Sequence, residues 1–376
     1  MENETKVKKQ KQEAEQEKEQ VLDIQADINS LILNQGDLTI DDNFDVLSTN
    51  IDVLDAYLGG GVAQGGFLQI VGSPGSGKSL LASKVLAAGQ QQYGNNFMCL
   101  YLDSEESMSK DRLAQLGIKR PEIIPITDLT VEKVFSVIKS MHEYKMKNSH
   151  LIQYPSVIVW DSIANTITDR TEGLEEVDPA KVMGLRANLL SQFLPDYIKK
   201  MKKSNITLVA INQLRDKIEM GRFPTKSTLK YLANKNIPGG NSLLHNSTQL
   251  VLLSSGKDIA DEYGFPGGNI VSVKLVKNKL FRPNLEFNLV FSFSLGYSKF
   301  WSNYELLKTY GRVKAAAWCT LQGVDDVKFR QKDAITNYKN NEAFRNAFDE
   351  NVRDVIKTEI TEKNVQALDP ELEGIF

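Results

Sequence analysis

Short apolar runs alternate with helical stretches through the middle of this chain. Residues 67–71, 97–102, 156–160, 206–211 and 249–254 are apolar runs bounded by polar turns, as strands buried on both faces of a sheet would be. The stretches 78–92, 109–116, 131–147 and 181–203 between them read as helices. The alternation predicts an α/β fold, with a mostly parallel central sheet flanked by helices on both faces. Asn269–Val276 and Glu286–Phe293 read as strands that extend the sheet as a hairpin.

The ends read differently. Residues 1–20 are almost all Glu, Lys and Gln, a disordered arm or a solvated helix. Val21, Ile24, Ile28 and Leu31 then recur at helical spacing, so a short amphipathic helix is expected, docked on its own domain or on a neighbouring subunit. Residues 36–62 read as a linker and an approach to the core. Beyond about residue 305, Phe344, Ala347, Phe348, Val352, Val355 and Ile356 form the stripe of a small α-rich module that ends in a loose acidic tail. The domain reading is 1–44 for the arm and an oligomerisation helix, 45–300 for the core, and 301–376 for the C-terminal module.

Composition narrows this picture only a little. The 376 residues are 41% hydrophobic and 25% charged, as in soluble globular proteins, and no apolar run is long enough to span a membrane. Cys99 and Cys319 are the only cysteines, which fits a reducing cytoplasm rather than a disulfide scaffold. His142, His150 and His245 lack metal-ligand spacing. A net charge of −3 excludes a uniformly basic protein but leaves room for a local basic groove.

The strongest chemical signal is Gly72-Ser73-Pro74-Gly75-Ser76-Gly77-Lys78-Ser79, followed by Leu80, which fits the phosphate-binding pattern G-x-x-x-x-G-K-[ST]. A strand precedes it and a helix follows, so its amides form an anion nest at a helix N-terminus. Lys78 is expected on the β- and γ-phosphates and the Ser79 hydroxyl on Mg²⁺, making ATP and Mg²⁺ the expected cofactors. Asp161 ends the strand Val157–Trp160, where a carboxylate can hold Mg²⁺ directly or through its water shell. Glu105 ends another strand and is the first choice for the carboxylate that activates water, with Glu106 as the fallback. The bland alternative is that these acids merely begin the next helix. Gln213, at the tip of a third strand, can hydrogen-bond a phosphate or water and sense the γ-phosphate.

Taken in order, these blocks resemble the RecA family of homologous-recombination ATPases. The resemblance rests on Leu58-Gly59-Gly60-Gly61, Tyr101-Leu102-Asp103-Ser104-Glu105, Met183-Gly184-Leu185 with Ser191-Gln192, Asn212-Gln213-Leu214-Arg215 with Pro238-Gly239-Gly240-Asn241, and Lys274-Leu275-Val276-Lys277-Asn278-Lys279. It covers about residues 45–300, and small phage-encoded members are similar in having divergent ends. It implies that Glu105, Lys78 and Gln213 form the catalytic set, with Gln213 coupling the γ-phosphate to a DNA-binding loop. It also implies that Lys277 and Lys279 cross the subunit interface to the neighbour's γ-phosphate. Where the family often stacks an aromatic ring on adenine, this chain has Arg112, whose guanidinium plane can also stack on a base.

Between Gln213 and Asn241 the chain carries Arg215, Lys217, Arg222, Lys226, Lys230 and Lys235, with Phe223 and Tyr231 among them. Such a loop can neutralise phosphates and stack on bases without reading sequence. Arg215, Lys217, Arg222, Phe223 and Lys226 are the candidate contacts, with Gly239, Gly240 and Asn241 at the far border. The first loop, 168–182, is acidic, and only Arg170, Lys181 and Arg186 offer contacts. The implied protein is a DNA-dependent ATPase that forms helical filaments on single-stranded DNA and pairs it with homologous duplex. Its implied partners are copies of itself, single-strand-binding proteins and loaders, in the cytoplasm, or the host cytoplasm if the gene belongs to a phage. A ring helicase on the same core and an ATP-switched DNA-binding regulatory module are the alternatives.

Overall fold

The computed structural model describes residues 44–105, 108–119, 123–124, 129–171, 179–216, 235–259, 263 and 267–363. The amphipathic stretch at 21–31, Glu106, the acidic tail, and Lys217, Arg222, Phe223, Lys226, Lys230 and Tyr231 lie outside them.

Nine strands form the main sheet: β1 Phe67–Gly72, β2 Met98–Asp103, β3 Ile123–Ile124, β4 Ser156–Asp161, β5 Ile206–Gln213, β6 Gln249–Ile259, β7 Gly268–Asn278, β8 Glu286–Ser292 and β9 Gly296–Tyr297. Their spatial order is β9-β8-β7-β6-β1-β5-β4-β2-β3. From β6 to β3 every neighbouring pair is parallel, and β6 to β9 continue as an antiparallel meander. The helices are α1 Asp52–Leu58, α2 Lys78–Tyr93, α3 Lys110–Gln115, α4 Val131–Lys147, α5 Pro179–Ser204, α6 Asn241–Asn246, α7 Lys299–Thr309, α8 Ala334–Asn340 and α9 Glu342–Val355.

Strand periodicity sorts the core into two layers. Leu68 and Ile70 of β1, Tyr101 of β2, Val157 and Val159 of β4, and Val209 and Ile211 of β5 join Leu81, Val85 and Leu86 of α2. The intervening residues, among them Phe67, Leu102, Ile158, Trp160, Leu208 and Ala210, join α4 through Val134, Phe135 and Ile138, and α5 through Leu190, Leu194 and Met201. Helices therefore cover both faces, and the strands read as near-continuous apolar runs because each side of each strand is buried.

From residue 45 the approach to β1 is packed into the core. Leu47, Ile51, Val53, Leu54 and Leu58 are buried, and Val46–Leu47 pairs antiparallel with Val62–Ala63. The first buried layer continues into the C-terminal helices through Trp301 and Tyr304 of α7 and Phe344, Phe348 and Val352 of α9.

At the far end of the sheet from the phosphate loop, Lys145 is fully buried. Its ammonium donates to the Tyr154 carbonyl at 2.7 Å, the Ser156 Oγ at 3.0 Å and the Asn205 carbonyl at 3.2 Å, tying α4 to the starts of β4 and β5. Burial lowers its pKa to about 8.

Candidate nucleotide site and its link to the second loop

Register places the chemistry. Gly72 pairs with Gln213 across β1 and β5, and Asp103 pairs with Asp161 across β2 and β4. The carboxyl ends of four parallel strands thus meet at one edge of the sheet, where open α/β folds bind ligands. The cleft there has a volume of about 340 Å³ and is lined by residues of the phosphate loop together with Glu105, Arg112, Asp161, Gln213 and Phe293.

The loop after β1 turns on two glycines in the left-handed region, Gly75 at φ 75° and Gly77 at φ 85°. A Cβ on Gly77 would also lie 2.7 Å from the Tyr297 hydroxyl and 2.8 Å from the Phe291 ring, so no other residue lets the loop sit this close to the β8–β9 hairpin. Gly77 caps α2, whose first amides are the anion nest. Lys78 is 9% exposed, and its ammonium donates to the Ser73 carbonyl at 2.7 Å. Burial lowers its pKa, while the nearby Asp161 and Glu105 carboxylates oppose that shift.

Asp161 is only 2% exposed. Its Oδ2 accepts from the Ser79 hydroxyl at 2.7 Å and from the Tyr101 hydroxyl at 2.7 Å. Burial pushes its pKa up to about 6, against the lowering effect of these two donors. A carboxylate touching a serine hydroxyl at the end of the phosphate loop is a hard-oxygen donor set that suits Mg²⁺.

Two consequences of this pKa have opposite signs. Were Asp161 to hold Mg²⁺, its proton would compete with the metal, so lowering pH from 7.5 to 5.5 should weaken Mg²⁺-dependent nucleotide binding by about fourfold through this group. The nucleotide-free fold moves the other way. Between about pH 6 and 4 the native state holds a proton that the unfolded chain releases, so this group's contribution stabilises the fold as pH falls. Titration of Mg²⁺ with a non-hydrolysable ATP analogue at both pH values checks the first effect. Asp161→Asn is the reference, with weak binding expected at both.

Glu105 sits at the centre of a network. Its Oε1 accepts from the Ser162 hydroxyl at 2.8 Å, the Asn165 amide at 2.7 Å and the Gln213 amide at 3.1 Å. Asp103 shapes the turn that carries it, accepting the Glu105 N–H at 3.0 Å and the Met108 N–H at 2.8 Å. The Ser104 hydroxyl locks this turn to β4 by donating to the Asp161 carbonyl at 3.0 Å and accepting the Ser162 N–H at 2.9 Å.

From Gln213 the network runs to the second loop. The Gln213 N–H donates to the Asn212 side-chain oxygen at 3.0 Å, and the buried Asn212 amide donates to the Pro238 carbonyl at 2.7 Å. The two feet of the loop are joined by a short antiparallel pairing of Arg215 with Asn236 and of Asp216 with Lys235. Gly239 and Gly240 follow with φ 100° and 75°, and Asn241 opens α6 at the surface.

One sequence expectation lands elsewhere, and two further cations make contacts that the sequence did not show. Arg186 is not a surface contact: it is 3% exposed, and its guanidinium donates to the carbonyls of Ile163, Ala164 and Thr166 at 3.0, 2.6 and 3.1 Å, pinning the segment after Asp161. Arg112 does line the cleft, but its guanidinium donates to the Ser294 carbonyl at 2.9 Å and to the Phe293 carbonyl. It braces the turn that carries Phe293, whose half-exposed ring is the aromatic surface in the cleft. Lys277 donates to the carbonyls of Leu244 at 2.9 Å and His245 at 2.6 Å, while Lys279 is exposed.

Sequence reasoning missed Tyr101, Asn165 and Phe293. Tyr101 was readable in principle, because strand alternation puts it on the α2 face beside Asp161. Asn165 carries no sequence signal, since only the fold after β4 brings it to Glu105.

A family model for the RecA N-terminal domain matches residues 20–298. Curated relatives include the protein RecA of Wolbachia pipientis subsp. Culex pipiens, 32% identical over 69% of this chain and 66% of that one. The protein RecA of Anaplasma marginale strain Florida is 29% identical over 87% of this chain and 85% of that one. Among solved structures, a RadB recombinase matches with a TM-score of 0.45 at 21% identity, covering 67% of this chain and 98% of the other. No helix among the described residues is long and apolar enough to cross a membrane. With a phosphate loop at the strand ends, a carboxylate network beside it and a family match over most of its length, the chain belongs to the RecA family of homologous-recombination ATPases.

Proposed function

We propose that this chain is an ATP-dependent recombinase that assembles on single-stranded DNA, pairs it with homologous duplex and exchanges strands. The observation that carries this reading is the continuous hydrogen-bonded path from Glu105 through Gln213 and Asn212 to Pro238 at the foot of the second loop. A group that can meet the γ-phosphate is thereby joined to the foot of a segment whose sequence carries Lys217, Arg222, Lys226 and Lys230.

The residues divide the work. The amides of Gly75 to Ser79 and the ammonium of Lys78 bind the phosphates, once Lys78 leaves the Ser73 carbonyl. Ser79 and Asp161 would hold Mg²⁺, which when bound neutralises charge on the β- and γ-phosphates. Glu105, fixed by three donors, orients and deprotonates the attacking water. Gln213 shares its amide with Glu105, so a γ-phosphate that competes for that amide shifts Gln213 and with it the loop foot. The segment between the two feet would grip DNA with ATP bound and release it after hydrolysis. Lys277 and Lys279 reach a neighbouring copy's γ-phosphate, which places ATP between protomers of a filament. Base pairing supplies sequence specificity, and protein contacts to the backbone supply grip.

Lys78→Ala should abolish nucleotide-dependent DNA binding. The check is filter retention of a labelled oligonucleotide with and without ATP at rising salt. A salt-resistant, ATP-dependent complex formed by the variant would contradict the site assignment. RecA-family membership does not favour the ring-helicase or regulatory-module readings. ATP turnover unaffected by single-stranded DNA would revive the latter.

A further inference from the structure

Tyr101 brings a hydroxyl into the nucleotide site that none of the proposed steps uses. Its ring packs with Leu81 and Val85 of α2 on one face of the sheet, and it is only 1% exposed. Strands on both sides hold its backbone, through Val159 of β4 and Ile123 of β3. Asp161 lies two residues past Val159, so strand alternation puts it on the same face, diagonal to Tyr101. A phenol spans that distance, and its hydroxyl donates to Asp161 Oδ2 at 2.7 Å.

The same oxygen accepts from the Ser79 hydroxyl, also at 2.7 Å. A carboxylate oxygen has two lone pairs, so those of Oδ2 are both taken, one by a hydroxyl from β2 and one by a hydroxyl from α2. Among the described residues nothing donates to Oδ1, and Asp161 lines the cleft. Ser79 can turn a lone pair to a cation and still donate its proton to Oδ2. The Tyr101 hydroxyl sits at the end of a ring fixed in the core, so its hold on Oδ2 does not depend on the cation. The carboxylate is thereby fixed in rotation, with one oxygen turned in and one left for the cleft. Such a group offers a cation one oxygen rather than two. The difference matters because Mg²⁺ keeps a tight octahedral shell with several waters, whereas the larger Ca²⁺ gathers more oxygens and readily takes both from one carboxylate.

We propose that Tyr101 is a positioning residue that sets the cation preference of the nucleotide site. By holding Oδ2 it restricts Asp161 to contact through a single oxygen and so favours Mg²⁺ over Ca²⁺. This rests on the reading that Ser79 and Asp161 hold the cation, and Tyr101 acts only through Asp161.

Tyr101→Phe removes the hydroxyl and keeps the ring. The experiment is binding of a non-hydrolysable ATP analogue to the full chain, without DNA, titrated with Mg²⁺, titrated with Ca²⁺, and in chelator alone. In chelator the variant should bind the analogue as the wild type does, which shows that the fold and the phosphate loop are intact. Tyr101→Leu takes its place if it does not. The Mg²⁺ concentration at half-saturation should rise about tenfold, the low end of the cost of losing a group that orients a metal ligand. The Ca²⁺ midpoint should stay or fall, so the preference for Mg²⁺ shrinks by about the same factor. An equal rise for both ions, which a merely structural role would give, overturns the proposal, and so does no rise for either. A wild-type chain that binds the analogue no more tightly with Mg²⁺ than in chelator contradicts the cation site itself, and the proposal falls with it.

Discussion

Glu105→Gln should lower ATP turnover by about 10²- to 10⁴-fold while leaving ATP binding almost intact. The glutamine keeps an oxygen where Oε1 now accepts from Ser162, Asn165 and Gln213, so the geometry around it survives. It loses only the charge and basicity needed to take a proton from water. Because hydrolysis is assigned to release rather than to assembly, the variant should hold single-stranded DNA longer than the wild type in the presence of ATP. Turnover by phosphate release and DNA residence by competitor challenge measure the two halves. A variant that hydrolyses ATP at the wild-type rate removes Glu105 from catalysis, and attention then moves to Glu106.

The second large effect belongs to Gln213. Gln213→Ala removes the 3.1 Å bond to Glu105 but leaves the phosphate loop, Lys78 and Asp161 untouched. Nucleotide binding and the basal rate should therefore change little, whereas stimulation by single-stranded DNA should be lost. The coupling at stake is on the order of 5- to 100-fold, the usual range for two linked sites. Asn212→Ala should show the same uncoupling more weakly, because it cuts the next bond, to the Pro238 carbonyl, and leaves Gln213 free to meet phosphate. If Gln213→Ala keeps full DNA stimulation, the path from Glu105 to the loop foot carries no signal.

Much of the architecture could be read from the chain because the signals are local. The four parallel strands that carry the site, β6 beside them and the hairpin after it announce themselves as apolar runs, and Gly72–Ser79 needs only its own residues to specify a phosphate cradle. What escaped depends on tertiary context. β3 is two residues long and gains its identity only from pairing with Tyr101 and Leu102. The short strands within 45–62 escaped because each is two residues long, and their pairing with one another is invisible in sequence. Arg186 illustrates the limit for function. A lone arginine near an expected DNA loop reads as a contact, and only the fold shows three backbone carbonyls waiting for it. At Arg112 and Lys277, too, carbonyls brought close by distant segments hold the cation, contacts that no sequence pattern shows.

On the proposed reading, ATP acts at the seam between copies and controls the grip on DNA. The direct measurement is ATP turnover per protomer across a wide range of protein concentration, with and without single-stranded DNA. The account predicts low turnover at dilutions where the chain is monomeric, rising steeply with assembly and further with DNA. Turnover per protomer that is constant down to monomer dilution and indifferent to DNA would contradict it.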